Sequence, residues 1–115
     1  MKKLIKIAAA QLTPVFLNKE KTIEKACEAI SEAGKNGAEL IVFPEAFISG
    51  YPDWVWLIPN SKGKMLNDLY VRLVENAISV PDDSTDKLCK SAKAAGINVV
   101  MGMNERNTDK SGASL

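Results

Sequence analysis

The stretch that most constrains the fold is Leu40-Ile41-Val42-Phe43-Pro44-Glu45, an apolar run closed by a proline and followed at once by a carboxylate. A continuous apolar run of strand length is the pattern of a strand covered on both faces in a parallel sheet, where the alternation of apolar and polar residues is lost. Pro44 cannot donate to a further ladder bond and biases Phe43 towards an extended backbone, so the strand ends there. Glu45 is then delivered to the carboxyl end of the strand, the edge at which open α/β sheets bind ligands. Its neighbours Phe43, Pro44, Ala46, Phe47 and Ile48 are apolar, a setting that would strip water from a carboxylate and make it a better base.

The rest of the chain supplies the elements around that strand. Residues 4–10 read as a first strand interrupted only by Lys6. Asn18 suits a helix N-cap, and Ile23, Ala26, Cys27, Ile30 and Ala33 then share one helical face. Lys21/Glu24, Lys25/Glu28 and Glu32/Lys35 are spaced for surface pairs, and Gly34 and Gly37 are expected to stop the helix. Residues 4–43 therefore form a strand-helix-strand unit with a right-handed crossover. Leu66, Leu69, Tyr70, Leu73, Val74, Ala77 and Ile78 recur at helical spacing and predict a helix packed on the sheet, with Asp68 and Arg72 paired outside. After Pro81, residues 82–86 offer caps for another helix with Leu88, Cys89, Ala92 and Ala95 on its buried face and Gly96 at its end. Residues 97–103 read as a third strand, residues 107–112 as a hairpin turn, and residues 113–115 as the start of a returning strand.

Composition removes several classes of function. With 115 residues, 46% of them hydrophobic and 25% charged, the chain has the size and composition of one globular domain. A net charge of +1, with both signs mixed along the sequence, argues against nucleic acid or an anionic membrane surface as partner and leaves a small molecule. No apolar stretch is long enough to cross a bilayer, the basic start lacks a cleavable pattern, and the expected compartment is the cytoplasm. The absence of histidine excludes Ser-His-Asp and Cys-His catalysis and the usual zinc and copper sites. Cys27 and Cys89 match no zinc spacing, so no metal is expected, and both are expected to be reduced structural thiols on apolar helix faces. No glycine-rich loop joins a strand to a helix, which makes a nucleotide-binding domain a weak alternative. Acid-base chemistry must fall to a carboxylate or a lysine.

The run Phe43-Pro44-Glu45-Ala46-Phe47-Ile48-Ser49-Gly50-Tyr51-Pro52-Asp53-Trp54 resembles the first signature of the nitrilase, or carbon-nitrogen hydrolase, superfamily. Ala10-Gln11-Leu12-Thr13-Pro14 is similar to that family's opening strand, and Asn104-Glu105-Arg106 to a later strand end. The resemblance implies an α/β fold, a four-layer α-β-β-α sandwich of which residues 1–115 form the amino-terminal part of a single domain. It implies Glu45 as general base, with the nucleophilic cysteine and the lysine that stabilises the tetrahedral intermediate lying later than residue 115. It also implies no cofactor, a homo-oligomer, and hydrolysis of a small nitrile to a carboxylic acid and ammonia. The continuation Tyr51-Pro52-Asp53-Trp54-Val55-Trp56 looks more like nitrilases proper than amidases, with Tyr51 and Trp54 as candidate substrate-binding residues and Trp56 assigned to the core or a subunit contact. The alternatives are an amidase of the same superfamily and a catalytically inactive nitrilase-like fragment that acts by association with a partner. Strands of the buried type without a second half to the sandwich are expected to self-associate.

Overall fold

Three short strands run parallel in the order β1-β2-β3, with β1 at Ile7–Ala9, β2 at Leu40–Val42 and β3 at Asn98–Val100. They belong to a computed structural model that describes residues 3–107. The register aligns Ala8 with Ile41 and Ile41 with Val99. Those three side chains face one side of the sheet, and β1 connects to β2 through α1 (Lys19–Lys35), as the strand-helix-strand reading requires. The arrangement is α/β with a parallel sheet, in line with the expected class. The strands are shorter than the apolar runs that announce them, and the expected hairpin and returning strand fall outside the described residues beyond Asn107.

α1 begins where Asn18 caps it, the side-chain oxygen accepting from Lys21 N at 3.0 Å. It buries Thr22, Ile23, Ala26, Ile30 and Ala33. α4 (Asp83–Ala95) lies beside it and starts with a reciprocal cap, in which the Asp82 carboxylate accepts from Thr85 N and the Thr85 hydroxyl accepts from Asp82 N, both at 2.9 Å. Together they cover the Ala8, Ile41 and Val99 face, and the main core gathers Ile23, Ile30, Ile41, Phe43, Phe47, Ile48, Ile78, Leu88 and Ile97. Gly34 does not stop α1 as expected. It sits inside the helix because a Cβ there would lie 2.9 Å from Ala95 Cβ, so its smallness sets how closely the two helices approach. The turn comes later, at Asn36 and at Gly37 with φ +83°.

The opposite face of the sheet is apolar and open, with Ile7 59%, Val42 37% and Val100 52% exposed. The apolar run of β2 thus has only one of its two faces covered by the described residues. The helix expected from the cleanest periodicity also behaves differently from its reading. α3 (Gly63–Glu75) follows a one-turn α2 (Trp54–Leu57) and a 3-10 turn at Asn60–Lys62, and its buried residue is Leu73. It packs on Leu17 and Trp54, with Ile58, Leu66 and Leu69 around them, in a satellite cluster separate from the sheet's core. Ala77 and Ile78, at the end of the same stripe, lie past the helix and are buried. A stripe at helical spacing fixes which face is turned inward but not which element meets it.

Surface charges also pair differently from the expected pattern. Among the described residues the ion pairs within 4 Å are Lys3–Glu39 and Lys64–Asp68. Asp68 therefore pairs with Lys64, a turn before it, and not with Arg72. Lys25 donates to the Thr13 carbonyl and does not pair with Glu28. Exposed pairs of this kind contribute about 1 kcal/mol at most, so local rotamer preference is enough to choose among them. The radius of gyration is 16.2 Å, against about 13 Å for a fully compact chain of this length, which agrees with the open sheet face and the separate α3 cluster.

Candidate active site

Glu45 occupies a turn directly after β2, at the carboxyl end of the sheet. The chain does not leave the sheet at Pro44 but continues along the extension of β3. Phe43 N donates to Val100 O at 2.9 Å, Ile48 N to Gly102 O at 3.1 Å and Asn104 N to Ile48 O at 2.7 Å, with Ile48 and Met103 forming a parallel bridge. Pro44 and Glu45 fall in the gap of this ladder, where the turn has no partner to give up. Within the turn Ala46 takes φ +50°, and Gly50 N closes back on Ala46 O at 3.0 Å.

Gly102 makes the close approach possible. A Cβ at that position would stand 1.9 Å from Pro44 O and 2.9 Å from Ala46 N, so any side chain would collide with the backbone on either side of Glu45. A second tether holds the far end of the turn. Ser49 is fully buried, and its hydroxyl donates to Asn76 O, while Leu17 N donates to Ser49 O at 2.9 Å. Asn76 in turn accepts from Lys19 N through its side chain at 3.0 Å, so the start of α1 and the end of α3 meet behind the turn.

The apolar neighbours of Glu45 point away from it. Phe43, Phe47 and Ile48 are 5%, 1% and 0% exposed, and the two rings pack with centroids 5.2 Å apart in the main core. Glu45 itself is exposed, and among the described residues its carboxylate makes no hydrogen bond or ion pair. The expected shielding of this carboxylate is therefore not supplied by its sequence neighbours, whose side chains anchor the turn from behind. A turn anchored in this way presents a charged group outward at a fixed place.

The aromatic loop divides in two. Tyr51 is 50% exposed on the segment that leaves the turn, whereas Trp54 is 8% exposed and packs with Leu17 and Leu73. The Trp54 indole N–H is buried without a hydrogen-bond partner. Trp56, expected in the core or at a subunit contact, is outside the core of this chain, 77% exposed beside Leu57 at 78%. α2 is a single helical turn, so positions 54 and 56 lie on opposite sides of it, and burying one turns the other outward.

The cysteines lie on the helices that back the sheet. Cys27 is half-buried, and its Sγ–H donates to Lys87 O of α4 at 3.9 Å, a structural contact. Cys89 is exposed, against the expectation of a buried thiol, because it stands one position past Leu88 and so about 100° further round α4. Among the described residues no group of three or more carboxylate, cysteine or histidine side chains could hold a metal. The features that sequence reasoning missed are Gly102 and Asn104. An isolated glycine inside a strand pattern is a recognised sign of close backbone approach, and Gly102 in Val99-Val100-Met101-Gly102-Met103 carries it.

This arrangement, a carboxylate on a pinned turn after the second parallel strand, fits the amino-terminal part of a known fold. The family model for Carbon-nitrogen hydrolase matches residues 6–114, and the chain belongs to that family. It is 40% identical over 110 residues to a nitrilase of Bacillus sp. (strain OxB-1), an alignment that covers 96% of this chain and 30% of that protein. It is 39% identical over 103 residues to an aliphatic nitrilase of Rhodococcus rhodochrous, covering 90% of this chain and 26% of that protein. An arylacetonitrilase of Aspergillus oryzae is 36% identical over 101 residues, covering 88% of this chain and 29% of that protein. The chain thus spans under a third of the length of the curated relatives it matches.

Proposed function

We propose that these residues are the amino-terminal part of a single carbon-nitrogen hydrolase domain of nitrilase type, in which Glu45 is the general base. The observation that supports this most is the position of Glu45 itself: exposed, without a partner among the described residues, and held on a turn whose backbone is fixed at both ends. A carboxylate with no structural bond is free to accept a proton from a reacting group. In this reading it takes the proton of a cysteine thiol, the thiolate attacks a nitrile carbon, and a lysine stabilises the charge that develops there. Water then releases ammonia and the carboxylic acid. No step calls for a cofactor.

Neither Cys27 nor Cys89 fits the nucleophile, since one bonds α4 and the other lines a groove with Leu88, Met101 and Met103. The thiol and the lysine are assigned to residues outside this chain's 115. The open face of the sheet, with Ile7, Val42 and Val100, is where the second sheet of the sandwich would pack and where water would be excluded from Glu45. Tyr51 is the aromatic side chain a small substrate would meet first. Trp54 joins it through its unpaired indole N–H, a buried donor that a bound molecule or a covering segment would satisfy.

A nitrile is favoured over an amide because the relatives described above carry nitrilase names. Cytoplasmic location and homo-oligomeric assembly remain part of the proposal. No helix among the described residues is long and apolar enough to cross a membrane. The test is ammonia release by the natural gene product from an arylacetonitrile, an aliphatic nitrile and the two corresponding amides. Turnover of a nitrile supports the reading, turnover of the amides alone makes the protein an amidase, and turnover of neither overturns it.

A further inference from the structure

We infer that Asn104 is a positioning residue for Glu45, fixing where its carboxylate stands by holding the far side of the turn; the inference rests on the reading of Glu45 as the base. Asn104 is half-buried and makes three bonds to the turn. Its backbone N donates to Ile48 O at 2.7 Å, and its side-chain Nδ2 donates to Gly50 O at 2.9 Å and to Ile48 O at 3.3 Å. Both acceptors are carbonyl oxygens, so only the NH2 end of the amide can face them. Gly50 is buried, and its carbonyl would have to give up this bond without water to replace it.

The other side of Asn104 is tied to the core. Its carbonyl accepts from Ile78 N at 2.9 Å, and Arg106 N donates to Ile78 O at 2.7 Å, while Ile78 is fully buried. Asn104 is thus a strap between a rigid core residue and the segment Ile48–Gly50. Gly102 touches the near side of the same turn at Pro44 and Ala46. Glu45 lies between these two holds. Without the Asn104 side chain the turn keeps its near hold, the Asn104 N to Ile48 O bond and the Ser49 tether, but Gly50 O loses its bond, which loosens the segment that follows Glu45.

The test uses Asn104→Asp, which keeps the shape and the backbone bonds but sets an acceptor against two carbonyl oxygens. In the natural gene product, kcat is measured per active site, titrated by the ammonia burst, beside KM and the amide exchange of Ile48 and Gly50. The expected result is a fall in kcat of about 10- to 100-fold, the scale of a misplaced catalytic group, with KM shifted by less than about 3-fold. Exchange at Ile48 and Gly50 should rise about 10-fold with the turn's lost order. A residue that only supports the fold would lower the number of titratable sites and leave the rate per site unchanged, and that result overturns the inference. Unchanged exchange at Ile48 and Gly50 overturns it as well. Glu45→Gln is run in parallel: full activity there would sink the base reading itself, whereas an inactive Glu45→Gln beside a fully active Asn104→Asp would sink the positioning role alone.

Discussion

Gly102→Ala adds a single methyl group at the point where the extension of β3 meets the Glu45 turn. The added Cβ would lie 1.9 Å from Pro44 O and 2.8 Å from Pro44 C, where ordinary contact begins at 3.4 Å. Both atoms are backbone, so no rotamer change relieves the clash, and the turn must retreat by about 1.5 Å. Overpacking of this kind costs about 1–3 kcal/mol, and with rigid partners the upper end applies. In the natural gene product, which the ammonia assay needs and whose relatives are more than three times this chain's length, that is a fall of a few degrees in Tm. Displacing a catalytic group by about 1 Å removes roughly 100-fold in rate, so kcat should fall by at least that much. The assay is a thermal melt with ammonia release measured on the folded fraction. Gly63→Ala is the control, because nothing lies within 4 Å of a Cβ there and the position opens α3. If Gly102→Ala melts with the parent and turns over at the parent's rate, the close approach does not position Glu45.

Asp82→Ala removes the acceptor for Thr85 N and for Ser79 N at once, and a lost cap of this type costs about 1–2 kcal/mol, read as a lower denaturant midpoint. Val42→Lys with Val100→Lys places charges on the open face of the sheet. In sedimentation the 115-residue chain should self-associate through that face and the double variant should be monomeric with little change in Tm. A parent chain that is already monomeric at micromolar concentration would show that the face needs no cover.

The strand-proline-carboxylate order of β2 could be read directly, since a proline and an apolar run each act through local backbone chemistry. So could α1 and α4, whose caps at Asn18 and Asp82 use the side chains the sequence offers. What could not be read was the direction in which a side chain faces once the turn is folded. Phe43 and Phe47 flank Glu45 in sequence, yet they pack behind it, because the turn between them, with Ala46 at φ +50°, breaks the strand's alternation and turns Glu45 outward between two buried rings. The same limit applies to Trp54 and Trp56: both are large and apolar, and only the helical turn between them decides which is covered within this chain. α3 shows a related case. Its stripe is real, but the partner is the Leu17–Trp54 cluster, a contact between distant segments that no local pattern encodes. Asn104 was legible only as part of a family-like strand end, since its role depends on carbonyls more than fifty residues earlier.

Glu45→Gln tests the central claim most directly, because the side chain is exposed and unpaired among the described residues and its charge holds nothing in place. The melting temperature of the variant should match the parent's, while nitrile turnover by the natural gene product should fall by about 100- to 10,000-fold, the contribution of a general base. Nitrile turnover at the parent's rate would contradict the account, and so would a loss of activity that merely follows a loss of folded protein.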